Sequence, residues 1–223
     1  MKLIKDDYYE EEFRYKNRDE LKSIISMLKY EIEQLKNILE HPCYTNYPDI
    51  ETHPYRERLV FAQESLKRAI GVYKQSGGQY EPTQEEINAQ LFDELTPYIN
   101  KLVVTVDNHI MDTVIYTATL EKDEFRLTRK FNMPDHIEEC SFIKKQEFID
   151  KISQLRIGEW RRNYSLSRFG YPDDEAIHWD LEISFSTDDY PLRIHGAGVH
   201  PYNYLELLCM FNPKFISEYE KKR

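Results

Sequence analysis

The chain has 223 residues, with 30 Lys+Arg against 40 Asp+Glu and a formal net charge of −10. At ~150 residues per domain this length fits one large domain or two small ones. The 17 Tyr and 11 Phe exclude global disorder, the 7 Gly and 10 Pro exclude collagen-like and low-complexity chains, and the acidic balance excludes a uniformly basic nucleic-acid binder.

The N-terminus, Met1-Lys2-Leu3-Ile4-Lys5-Asp6-Asp7, has no apolar core of the kind a signal peptide carries. No window approaches the ~18 apolar residues that would span a bilayer. These features predict a cytoplasmic protein with no membrane partner. An acidic run follows, with Asp6, Asp7, Glu10, Glu11 and Glu12 around Tyr8 and Tyr9.

A long helix is expected next. Asn17 or Asp19 can cap it, and Leu21, Ile24, Ile25, Leu28, Ile32, Leu35, Ile38 and Leu39 recur at three-four spacing. Pro42 stops it. After a proline-rich loop to Pro54, a second amphipathic helix runs from about Tyr55 to Gln75 and ends at Ser76-Gly77-Gly78. Two such helices joined by a loop predict an antiparallel hairpin, and its second flank leaves room for a homodimer through this arm. Residues 76–84 are the linker. The expected division is a helical arm with an acidic N-terminal segment over 1–78 and an α+β domain over 79–223.

Thr83 and Glu86 match a capping box, with a helix through Ile87, Leu91, Phe92 and Leu95. From Lys101 the apolar period changes to two, and three antiparallel strands are expected in a meander to Phe131. A helix over 144–155 follows, with Ser141 as its cap. His178 to Ser186 alternates polar and apolar, Thr187-Asp188-Asp189 turns, and Pro191 to His195 returns as a second strand. Helices are expected over 202–211 and 213–222. The fold class is therefore α+β, a helical hairpin followed by an antiparallel sheet with flanking helices.

The 178–195 hairpin carries the richest chemistry. Trp179, Leu181, Ile183, Phe185, Leu192 and Ile194 fall on one face; His178, Asp180, Glu182, Ser184, Arg193 and His195 fall on the other. A turn centred on Asp188-Asp189 sets Glu182 opposite His195 and Ser184 opposite Arg193. His178, Asp180, Glu182 and His195 are then the candidate catalytic or metal-binding set of a phosphodiester hydrolase, since two imidazoles and two carboxylates can hold a divalent cation. The competing reading is an ordinary solvent face, whose charges pair across the ladder.

Weaker constellations are Asp107-Asn108-His109 with Asp112 at a turn, Cys43 between His41 and His53, and the glycine-bearing loop Gly196 to Pro201. Cys43, Cys140 and Cys209 form no disulfide or zinc pattern and read as reduced thiols. Lys144, Lys145, Lys151, Arg156, Arg161, Arg162 and Arg168 make a local basic stretch interleaved with Trp160, Tyr164, Phe169 and Tyr171. That mixture can bind nucleic acid or a protein. No phosphate loop, dinucleotide fingerprint or nucleophile elbow occurs, and no cofactor is called for.

Leu155-Arg156-Ile157-Gly158-Glu159-Trp160, then Trp179-Asp180-Leu181-Glu182-Ile183, then Gly196 and Pro201-Tyr202-Asn203-Tyr204-Leu205-Glu206-Leu207-Leu208, resemble an uncharacterised bacterial domain. That group has a W-x-L-x-I strand, a glycine and a P-x-N-[FY]-x-x-L helix start. The resemblance covers about residues 145–212. It implies a setting in mobile elements or phage-like neighbourhoods, and with it an accessory or anti-defence role such as an anti-CRISPR-type inhibitor. It supplies no catalytic residues.

The sequence reading favours a non-enzymatic interaction module, an acidic inhibitor of a basic nucleic-acid-binding partner. Its expected partner-binding residues are Asp6, Asp7, Glu10, Glu11, Glu12, Glu31, Glu33, Trp160, Arg161 and Arg162. Direct binding of nucleic acid ranks below a protein partner, and the hydrolase is the alternative.

Overall fold

The structure is a computed structural model that describes residues 13, 15–45, 53–108, 112–132, 139–173 and 176–211. The chain divides into two compact units, Met1–Pro82 and Thr83–Arg223, with the division inside the linker segment.

The first unit holds helices α1 (Arg18–Leu39), the single turn α2 (Pro42–Thr45) and α3 (His53–Gln75). α1 starts at a capping box. The Asn17 side chain accepts from the Glu20 N–H at 3.0 Å, and Glu20 Oε2 accepts from the Asn17 N–H at 2.8 Å. Two of the four orphan donors of the first turn are thereby satisfied. α1 and α3 pair as a hairpin. Phe13, Leu21 and Ile25 bury against Ala69, with Ile24, Leu28, Leu66 and Ile70 around them. Gly77, at φ +83°, closes α3 in the left-handed conformation that a side chain resists.

The second unit opens with α4 (Gln84–Leu95), again on a capping box, Thr83 with Glu86. Seven strands follow: β1 (Ile99–Asn108), β2 (Asp112–Glu121), β3 (Glu124–Phe131), β4 (Glu139–Lys144), β5 (Asn163–Ser165), β6 (His178–Phe185) and β7 (Leu192–Ala197). They form one sheet in the order β4-β3-β2-β1-β6-β7-β5. All neighbours are antiparallel except β5 with β7. Two more helices are α5 (Lys145–Leu155) and α6 (Tyr204–Cys209).

Alternation decides the faces. Leu102 and Val104 of β1, Tyr116 and Ala118 of β2, and Trp179, Leu181 and Ile183 of β6 share one core with Phe92 of α4, Phe148 and Ile152 of α5, and Tyr204 and Leu207 of α6. Phe125 of β3 stacks on Phe148 at 3.9 Å between ring centroids. The opposite sheet face carries Lys101, Thr105, Thr117, Asp180, Glu182, Arg193 and His195, all exposed or partly so.

Three expectations are corrected. Strands β4 and β5 had no prediction. Ser141 lies within β4, which runs straight into α5 with Lys144 at the N-cap and no side-chain cap. The helix expected over 202–211 is confined to Tyr204–Cys209; the one expected over 213–222 lies outside the described residues. No helix among the described residues is long and apolar enough to cross a membrane.

Candidate functional site

The β6–β7 pair has its apolar and polar faces as the alternation demands, but in a different register from the expected one. Asp180 lies opposite His195, and Glu182 opposite Arg193. The bend falls at Ser186–Asp188, so the turn centre sits one residue earlier than Asp188-Asp189. A one-residue shift of the centre moves every cross-strand partner by two, which leaves the faces intact and changes the pairs.

The new pairs are self-contained. Asp180 Oδ1 and His195 Nδ1 hydrogen-bond across the ladder. An ionised carboxylate only accepts, so the ring presents its Nδ1–H to it. The remaining register neighbour of His195 is Asn163, which is no nucleophile. Arg193 Nε donates to Glu182 Oε2 at 2.8 Å. His178 stands two residues along from Asp180 and pairs in register with Ala197. Of the four groups predicted to converge, Asp180 and His195 pair with each other, Glu182 pairs with Arg193 instead, and His178 stands elsewhere on the strand. Among the described residues no three His, Cys, Asp or Glu are placed to hold a metal ion.

The lesser constellations also resolve into local contacts. Asp107 Oδ1 accepts from the Thr113 hydroxyl at 3.1 Å across the β1–β2 pair, while His109 lies outside the described residues. Cys43 Sγ lies 2.9 Å from His41 Nδ1, which also accepts the Cys43 N–H at 3.2 Å. Cys43, Cys140 and Cys209 are free thiols, and Cys140 is exposed. Gly196 belongs to β7, and its missing side chain makes room for the Trp179 indole.

The basic, aromatic stretch does not form one surface. Trp160 is 6% exposed and Tyr164 is 1% exposed, both in the sheet core. Trp160 therefore cannot serve as a partner contact on this surface. Its sequence neighbours misled because arginines flank it, yet the adjacent helical turn Ile157–Glu159 carries it inward. Lys151 pairs with Glu147 at 3.1 Å, Arg156 Nε donates to Glu159 at 2.7 Å, and Arg168 lies over the Phe169 ring. Arg161 is partly buried and Arg162 is exposed.

The acids assigned to the arm divide similarly. Asp6, Asp7, Glu10, Glu11 and Glu12 lie outside the described residues. Glu31 accepts from Arg58 Nε at 2.5 Å and so helps join α1 to α3, and Glu33 is also engaged. By sequence the first unit carries 13 Lys+Arg against 15 Asp+Glu, and the second 17 against 25. The acidity of the described protein is centred on the second unit, above all on α4, which holds Glu85, Glu86, Asp93 and Glu94 and no base.

The α4 surface is where sequence reasoning missed most. Ile87 and Leu91 look like core positions, but Phe92 is buried while Ile87 is 44% and Leu91 is 50% exposed. Tyr98 is exposed just after α4, and Tyr190, in the β6–β7 turn, is 95% exposed. Between α4 and this turn lies a groove of about 380 Å³ lined by Asn88, Leu91, Leu95, Phe185, Tyr190 and Arg162, among others. On the other side of α4, burial and the neighbouring Glu159 raise the Asp93 pKa above the usual carboxylate value, with Arg156 opposing them. The signal for this surface was present as the charge pattern of QEEINAQLFDEL, which has acids on both shoulders of its apolar residues.

No family model matches the chain, and neither a curated protein nor a solved structure matches it.

Proposed function

We propose that this chain is a non-enzymatic protein-interaction module, an acidic inhibitor whose partner is a basic nucleic-acid-binding protein. The observation that carries this reading is α4, with four carboxylates, no base, and Ile87 and Leu91 standing exposed among them. An exposed apolar pair rimmed by charge is the composition of an interface, and single-sign charge at its rim steers an oppositely charged partner. The hairpin face is satisfied internally, so no observation favours the hydrolase. The finer version, an inhibitor of a CRISPR-type complex, is supported by the resemblance over 145–212.

The test is affinity capture with the full chain from a bacterial lysate, followed by mass spectrometry. It compares the wild type with a Glu85→Lys, Glu94→Lys double variant. A basic nucleic-acid-binding protein retained by the wild type and lost at least tenfold by the variant supports the reading. Equal recovery on both, or no specific partner, overturns it.

A further inference from the structure

We infer that the groove between α4 and the β6–β7 turn binds a short partner peptide in which one Asp or Glu is flanked by large apolar side chains. This rests on the chain being an interaction module, and it names a contact of the opposite sign from the acids of α4.

The groove has an apolar lining in Leu91, Phe92, Leu95 and Phe185, with Tyr190 beside them. Arg162 and Arg193 stand in the same groove. Arg193 is engaged with Glu182. Arg162 differs, since its guanidinium makes no hydrogen bond or ion pair among the described residues. Burial lowers its pKa from the ordinary arginine value, and no neighbouring charge contributes.

A guanidinium that lines an apolar groove without a counter-ion can hold a carboxylate there bidentately. The same position beside apolar walls favours apolar groups on either side of that carboxylate. α4 contributes positions 88 to 95 to the groove. At ~1.5 Å per residue this is about 10 Å, or roughly three residues of extended peptide. A polyanion fits worse, because the four acids of α4 repel a phosphate backbone while one isolated carboxylate meets Arg162 alone.

The experiment uses the full chain and two synthetic peptide libraries with random flanks. One has an apolar-Glu-apolar core and the other an apolar-Gln-apolar core. Binding is read by fluorescence anisotropy. The Glu library is expected to bind the wild type at least tenfold more tightly than the Gln library. R162Q should erase that difference and R162K should keep part of it, with thermal melting of both variants unchanged. If R162Q misfolds, R162K and the library comparison still decide the question. Equal binding of the two libraries, no binding of either, or an Arg162-dependent affinity for a single-stranded oligonucleotide instead would overturn the inference. Capture through Glu85 and Glu94 is measured separately, so either proposal can fail alone.

Discussion

A single missing side chain sets the centre of the sheet core. A Cβ built on Gly196 would lie 2.1 Å from Trp179 Nε1 and 2.2 Å from Cε2. The indole occupies that space because its N–H donates to the Val199 carbonyl at 2.8 Å, and its ring packs 4.6 Å from Tyr204 and 5.7 Å from Tyr164. The neighbouring Gly198 is needed for a different reason, its φ of +65°. Gly196→Ala must therefore displace a hydrogen-bonded ring, and overpacking of this kind costs about 3 kcal/mol. Urea denaturation should show that loss. In a Gly196→Ala, Trp179→Leu pair the smaller side chain leaves room for the methyl group, so the second substitution should cost less than it does alone. Strict additivity of the two would show that the ring is not what Gly196 accommodates.

Between elements, α4 packs closely on the helical turn Ile157–Glu159. A Cβ on Gly158 would come within 2.9 Å of both Ala89 Cα and Phe92 Cβ. Partial burial, and after it the nearby charge of Glu159, raise the Asp93 pKa, with Arg156 opposing them. An acid whose folded pKa exceeds its unfolded one opposes folding once the pH rises past the unfolded value. Asp93→Asn should accordingly stabilise the protein at neutral pH, by roughly half a kcal/mol or less because the site is open to water. The gain should shrink as the pH falls through the raised pKa and vanish below about pH 3.8, the ordinary carboxylate value. Melting curves from pH 3 to 7 measure it, and a gain independent of pH would contradict the assignment. Elements governed by local chemistry were legible in the sequence: the Thr83–Glu86 capping box, Asn17 as one of two cap candidates for the first helix, the two long helices, the β1–β3 meander and the two faces of β6–β7. What escaped depends on distant partners. β5 is three residues long and pairs with β7 alone, while β4 runs into α5 without a turn, so that Ser141, which reads as a cap, lies in the strand. The pairing of Asp180 with His195 hung on where a polar bend closes, which the alternation of β6 cannot specify. Trp160 and Leu91 exchanged their expected places because the depth of a side chain depends on what the next element covers.

At the scale of the whole molecule the net charge of −10 is unevenly shared, with eight of the excess acids in the second unit by sequence. Within that unit, α4 gathers four acids on one short helix, whereas the sheet face mixes signs, pairing Glu182 with Arg193 and hydrogen-bonding Asp180 to His195. Concentrated charge acts at a distance and paired charge does not, so α4 is the feature that a basic partner would sense before contact. Screening shortens that reach from about 14 Å at 50 mM salt to about 4 Å at 500 mM. For the proposed complex, the association rate should then fall at least tenfold across this range. The dissociation rate should change far less, since it is governed by the apolar contacts of Ile87 and Leu91. Surface plasmon resonance with the captured partner separates the two rates. A salt-independent association rate would mean that α4 does not steer the encounter, and a dissociation rate that rises in step with salt would move the binding energy from the apolar pair to the charges.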